Sequence, residues 1–296
     1  MIPRFCFLNG RYVEVAEASI SALDRGFLFG EGLFETWRTY NGRPFALDQH
    51  LLRMKRSAVS LGIPFDSGEA WEARTRRLAK LNRLTTGGGA VRLTITAGCG
   101  SLSLLPSKPR KPTRLMLFRP LEAGLTQARE QGVSVHLMDF GRGVNPSLRQ
   151  LKTLNYLPAV IGKLRAHRRG CFESLYRLAD STVLEGTTSN FFLVKGNTVV
   201  TPPVAAGILP GITRALVLKL ARRMSAVEER SVAEADLFAA DEIILTSSSI
   251  EVVPVTKVDG RKIGGGRVGK FSRELQLRYR RHVARRMGVR VETLGE

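Results

Sequence analysis

Two short, mainly apolar runs, Phe5 to Leu8 and Tyr12 to Val15, flank Asn9-Gly10, which is a hairpin signal. Leu33 to Tyr40 predicts another strand, turned at Asn41-Gly42 into Pro44 to Leu47. The pattern then takes a helical period. Asp48 is placed to cap a helix that runs to Leu61, with Gly62 and Pro64 behind it as stop signals. A second helix is expected over Glu69 to Leu81. Strands are expected at Ala90 to Ala97 and Arg114 to Phe118, joined by an exposed Pro-, Lys- and Arg-rich loop.

The composition breaks near Arg119 to Gln127. The expected division is a domain over 1–119, a linker over 120–126 and a second domain over 127–296. In the second part, strands are predicted at Val133 to Phe140, Glu173 to Leu178, Asn190 to Val194, Thr198 to Thr201, Glu242 to Thr246 and Val252 to Val258. Helices are predicted over Thr153 to Arg169, despite Pro158, and over Ile212 to Met224. A long basic helix closes the chain. There is no internal repeat, and the whole reads as a mixed α/β or α+β chain.

Composition changes this picture little. With 43% hydrophobic and 24% charged residues, the chain has the make-up of an ordinary globular protein. No apolar run approaches the roughly 20 residues of a membrane helix, and the N-terminus lacks a signal-peptide core, so the cytoplasm is the expected compartment. Three scattered cysteines and four histidines show no disulfide framework and no metal-ligand spacing, so no metal is expected. The net charge of +20 raises nucleic-acid binding as a role. The basic residues are dispersed and lack an accompanying aromatic or zinc-finger motif, which favours an arginine-rich solvated surface instead.

Four segments carry candidate chemistry. SLRQLKTLNYL sets Lys152 among apolar and hydroxyl residues; a desolvated lysine amine is a nucleophile for carbonyls, although alone it reads as a lysine snorkelling from a helix start. VLEGTTSNFFLV places Glu185 at the end of an apolar run, where a carboxylate is a turn residue or a partner for a heterocyclic nitrogen. GILPGITRAL opens a helix at Ile212 and Thr213, which suits either simple capping or a phosphate dianion. LTSSSIEVVPV runs a strand into Ser247, Ser248 and Ser249, a polar turn or an anion site.

Taken in order, DRGFLFGEGLFETWRTYNGRPFALDQHLLRM, LKTLNYL, LEGTTSNFFLV, GILPGITR and LTSSSIEVVPVTKVDG resemble the class IV aminotransferases, the fold-type IV enzymes of pyridoxal 5'-phosphate (PLP). That family includes branched-chain aminotransferases, D-amino-acid aminotransferases and 4-amino-4-deoxychorismate lyases, and the likeness spans nearly the whole chain. The resemblance implies two α/β domains with the cofactor in a cleft between them, and a homodimer. It implies that Lys152 forms the Schiff base with PLP and shuttles the proton. Glu185 matches the carboxylate that pairs with the pyridinium nitrogen. Arg53, Ile212, Thr213 and Ser248 match the phosphate contacts, and Tyr156 the tyrosine on the phenolic oxygen.

The subtype rests on fewer residues. Where D-amino-acid enzymes of the family carry an arginine in a TRG stretch, this chain has Thr96-Ala97-Gly98. Arg92 lies where branched-chain enzymes place an arginine near the substrate carboxylate, or is a strand arginine facing solvent. Ser248 and Ser249 could offer amides to the same carboxylate, and Phe29 and Phe34 could line the side-chain pocket. Thr36, within GLFETWRTY, instead resembles several aminodeoxychorismate lyases, which release pyruvate to give 4-aminobenzoate. The balance favours an aminotransferase for branched-chain-type amino acids and 2-oxo acids, with the lyase as the alternative and a basic or inactive binding module as the contrary class.

Overall fold

The computed structural model describes residues 3–105, 111–140 and 145–294. It divides into two compact units: Met1–Glu122 with Leu151–Asn155 and Val283–Glu296, and Ala123–Gln150 with Tyr156–His282. Each unit carries its own sheet.

In the first unit the strands are β1 (Phe5–Leu8), β2 (Arg11–Glu14), β3 (Gly32–Tyr40), β4 (Arg43–Pro44), β5 (Gly88–Thr96) and β6 (Arg114–Pro120). They form one antiparallel sheet in the order β2-β1-β6-β5-β3-β4. The helices are α1 (Arg25–Phe29), α2 (Leu47–Ser60) and α3 (Trp71–Leu81). Alternation sends Leu33, Trp37, Val91, Leu93 and Ile95 into a core shared with Leu51, Met54, Trp71 and Leu78 from α2 and α3. Successive residues therefore project Phe34 and Thr36 from the other face of β3. The Pro-, Lys- and Arg-rich stretch expected as a loop lies largely outside the described residues.

The second unit holds α4 (Leu125–Gln131), β7 (Val133–Asp139), α5 (Pro146–Arg149), α6 (Leu157–Arg168), β8 (Glu173–Arg177), β9 (Val183–Gly186), β10 (Asn190–Lys195) and β11 (Thr198–Thr201). It continues with α7 (Ile212–Ala221), β12 (Ala226–Glu229), α8 (Glu234–Ala239), β13 (Glu242–Ser247), β14 (Glu251–Val258), β15 (Arg261–Lys262) and α9 (Lys270–Met287), whose end returns to the first unit. The nine strands form a mixed sheet in the order β12-β11-β10-β13-β14-β7-β8-β9, with β15 on β14. Pairing is parallel at β11–β12, β14–β7 and β7–β8.

Two expected helix starts are corrected. Asp48 is not the N-cap of α2: Ala46 takes that place with φ 53°, and Asp48 lies inside the first turn, where its charge still favours the helix dipole. The helix expected from Thr153 begins instead at Leu157, with Pro158 in its first turn, where a missing N–H costs nothing. The residues before it are drawn into strand pairing. Phe34 donates its N–H to the Lys152 carbonyl at 2.9 Å, Leu154 donates to Gly32 at 3.0 Å, and Thr153 bridges Leu33.

Candidate active site

In the first unit the pairing just described fixes Lys152 beside the start of β3. Its Nζ lies 4.4 Å from the centroid of the Phe34 ring. Arg92, opposite Thr36 in the β3–β5 register, also stacks on that ring, with Cζ 3.6 Å from the centroid, and its Nε donates to Thr94 at 3.3 Å. An amine and a guanidinium thus share one aromatic partner, and cation–π contact holds both. Gly32 permits this packing, since a Cβ there would come within 2.6 Å of Leu154 and 2.7 Å of the Ile95 carbonyl. Phe29, at the end of α1, packs under the Arg25 guanidinium at 4.8 Å.

Arg53 occupies a different setting within the same unit. It and His50 stand one turn apart on α2 and converge on Glu35, which projects from the core face of β3. The Arg53 Nε and Nη2 donate to the two Glu35 oxygens at 2.6 and 2.7 Å, and His50 Nδ1 meets Oε2 at 2.7 Å. Burial alone would raise the Glu35 carboxyl. The Arg53 charge and the hydrogen bonds from Arg53 and His50 outweigh it and hold the carboxyl at about 2. Burial pushes His50 down, so at neutral pH it is uncharged and donates Nδ1–H to Glu35.

Both shifts act on stability in one direction. The unfolded chain takes up a proton at His50 near pH 6.5, which the folded chain refuses, so stability falls as the pH drops below that value. The Glu35 contribution is complete above pH 4.5 and is lost as the pH falls towards about 2. The melting temperature should therefore decline from pH 7 to pH 5 and more steeply below 4.5, with a shallower first decline in His50→Asn. Melting curves that superimpose between pH 7 and pH 4 would contradict this linkage.

In the second unit Glu185 lies near the end of β9 as a buried carboxylate with both oxygens engaged. Oε1 accepts from Arg149 Nη2 at 3.2 Å, while Oε2 accepts from Asn190 Nδ2 at 3.1 Å and from the Leu209 N–H at 3.0 Å. Arg149 is itself stacked against Phe140 and Tyr176, at 4.9 and 5.4 Å. Behind it, buried Glu173 gathers the hydroxyls of Thr187, Thr188 and Ser189, fixing the turn from β9 to β10. Tyr156 Oη donates to the Thr187 carbonyl on that turn at 3.4 Å.

Gly211 is the N-cap of α7 and supplies no side-chain cap to the helix. Any Cβ at Gly211 would collide with Asn190 Oδ1 at 2.0 Å, so only glycine lets the helix start approach that side chain. Ile212 and Thr213 follow as the first helical residues, with amides that no side-chain cap claims. This opening suits a phosphate dianion. Ser248 and Ser249 lie in the turn from β13 to β14. Arg129 braces that turn, donating from Nε to the Ile250 carbonyl at 3.3 Å and pairing with Glu251 at 3.4 Å.

The residues singled out from sequence thus fall into two sets, one in each unit. Lys152, Phe34, Thr36, Arg92, Phe29 and Arg53 belong to the first, and Glu185, Tyr156, Ile212, Thr213, Ser248 and Ser249 to the second. Several partners were passed over: Glu35, His50, Arg149, Glu173 and Asn190.

Comparison with known proteins names the scaffold. The profile described as amino-transferase class IV matches residues 32–258. The chain belongs to that family. It is 35% identical over 289 residues to a Methanocaldococcus jannaschii protein provisionally named a branched-chain-amino-acid aminotransferase, covering 96% of this chain and 98% of that one. It is 34% identical over 277 residues to a D-alanine aminotransferase of Bacillus licheniformis, covering 90% and 93% of the two chains. An aminodeoxychorismate lyase of Bacillus subtilis is 32% identical over 279 residues, with 94% of each covered. Among solved structures, the branched-chain aminotransferase of Thermoproteus uzoniensis with norvaline superposes with a TM-score of 0.84 at 27% identity, covering 95% of each chain. A hypothetical aminotransferase of Mycobacterium tuberculosis in its PLP-bound form gives 0.83 at 25%, covering 95% of this chain and 99% of that one.

Proposed function

We propose that this class IV family member is a PLP-dependent aminotransferase that exchanges an amino group between a branched-chain-type amino acid and a 2-oxo acid. The observation that carries the reading is the pairing of Lys152 and Arg92 on Phe34. It sets a nucleophilic amine near a permanent cation suited to a carboxylate. PLP, when bound, supplies the electron sink that lets a proton leave the substrate Cα.

In this reading Lys152 holds PLP covalently and moves the proton at Cα. Glu185, kept in place by Asn190 and the Leu209 amide, holds a proton on the ring nitrogen. Arg53, Ile212, Thr213 and Ser248 bind the phosphate, and Tyr156 the phenolic oxygen. Arg92 takes the substrate carboxylate together with the Ser248 and Ser249 amides, while Phe29, Phe34 and Thr36 line the side-chain pocket. The absence of a carboxylate-trapping arginine in Thr96-Ala97-Gly98 favours the L-amino-acid reading over the D-amino-acid one.

The lyase reading has its own support in Thr36 and in the Bacillus subtilis relative. A homodimer and a cytoplasmic setting belong to the proposal as well. Ile20, Leu23, Phe27, Leu102, Leu104 and Leu105 of the first unit are exposed apolar side chains that a second copy would cover.

One preparation tests these points. The purified protein is expected to sediment at about twice 32.7 kDa, to be yellow, and to bleach with L-leucine but not with D-alanine. A yellow protein indifferent to both amino acids would shift the assignment to the lyase. A colourless protein that PLP cannot reconstitute would refute the proposal as a whole.

A further inference from the structure

The Glu35–His50–Arg53 cluster calls for an explanation beyond packing. Glu35 lies on the core face of β3 between Leu33 and Trp37, where an apolar residue would serve the fold at least as well. A buried ion pair adds little net stability over a hydrophobic replacement, whereas its directional bonds fix orientation. Here the orientation is over-determined. The Nε–Nη2 edge of Arg53 lies flat against both carboxylate oxygens, and His50 adds a third bond that fixes the carboxylate plane.

We propose that Glu35 and His50 are positioning residues that hold the Arg53 guanidinium in one plane for recognition of the phosphate monoester of the cofactor. The inference rests on the functional reading above, in which Arg53 is a phosphate contact. Arginine carries several rotatable bonds, and unheld it would surrender that freedom on each binding event. The cluster makes that loss part of folding instead. Glu35 also offsets the Arg53 charge, so the pair favours geometry over raw attraction.

His50 separates these two effects because it is uncharged at neutral pH: changing it alters the support of Glu35 without altering the charge near the phosphate. The experiment measures dissociation constants of PLP and of pyridoxal, which lacks the phosphate, for the full-length wild-type, His50→Leu and His50→Asn proteins. The preference for PLP over pyridoxal should fall about tenfold in His50→Leu and stay within about twofold in His50→Asn, which can still donate to Glu35. Glu35→Asp, which keeps the charge but withdraws the carboxylate from the guanidinium, should lower the same preference. It serves as the reporter if His50→Leu does not fold.

An unchanged preference in the folded variants, or an equal loss of both ligands, would show that the cluster is structural only. Wild-type protein that takes up neither ligand would instead overturn the functional reading.

Discussion

Lys152→Ala is expected to give a folded protein that stays colourless with PLP and whose turnover is lower by roughly 10²–10⁴-fold, the scale of a lost proton-transfer group. The backbone bonds that fix this segment to β3 run through the Lys152 carbonyl and the Leu154 N–H, and alanine keeps both. The substitution removes an amine resting on Phe34 and leaves those backbone bonds in place, so the melting temperature should barely move. Arg92, which shares that ring, cannot stand in, because a guanidinium stays protonated at any accessible pH and so is no nucleophile. Difference spectra after PLP addition, with an assay of amino transfer from L-leucine, check both halves. Normal turnover in this variant would sink the assignment of Lys152, whatever the protein's colour.

The regular elements were legible where periodicity alone decides them. The β3 run and the helix pattern that follows it were placed within a residue or two, because one face of each is continuous core. The expected start of α6 failed for a physical reason: LKTLNYL has helical composition, but its backbone groups at Lys152 and Leu154 bond to β3. Such pairing is tertiary and leaves no local pattern. The short α4 and α8 and the edge strand β12 escaped for lack of length, since a helix of six or seven residues shows too few turns to declare a period.

The site was legible unevenly. Lys152 and Glu185 stand in segments whose composition already looked odd, whereas their supports did not. Glu35 had a readable signal, a carboxylate on the strand face that Leu33 and Trp37 assign to the core. The spacing of His50 and Arg53 on one helix face completes that signal. Arg149 lies three residues before Lys152, within a segment already singled out, yet its partner Glu185 is 36 residues away. Glu173 is likewise readable only after folding, because the hydroxyls it gathers at Thr187 to Ser189 are supplied by a turn made at a distance. Long-range polar support is the part of a site that a single sequence hides.

Glu185→Gln should retain PLP and lose roughly 10²–10³-fold in turnover, the scale found when one preorganised charge-stabilising group is removed. Attachment would persist because Lys152 and the α7 helix start are untouched. What changes is the acceptor count. Glu185 receives hydrogen bonds on both oxygens, from Arg149 on one side and from Asn190 and the Leu209 N–H on the other. Glutamine offers one oxygen, which best faces Asn190 and Leu209, so its amide nitrogen turns towards the Arg149 guanidinium and two donors oppose each other. Arg149, stacked on Phe140 and Tyr176, then loses its carboxylate while remaining sheltered, at a cost of about 1–3 kcal/mol. A neutral amide also cannot hold the positive charge of a protonated ring nitrogen, so Cα proton loss slows although the cofactor stays. Cofactor content read from the absorption spectrum, set beside kcat for the same preparation, separates the two effects. Near-normal kcat with full cofactor would refute the role given to Glu185, and loss of the cofactor itself would show that this carboxylate anchors the ring rather than tuning it.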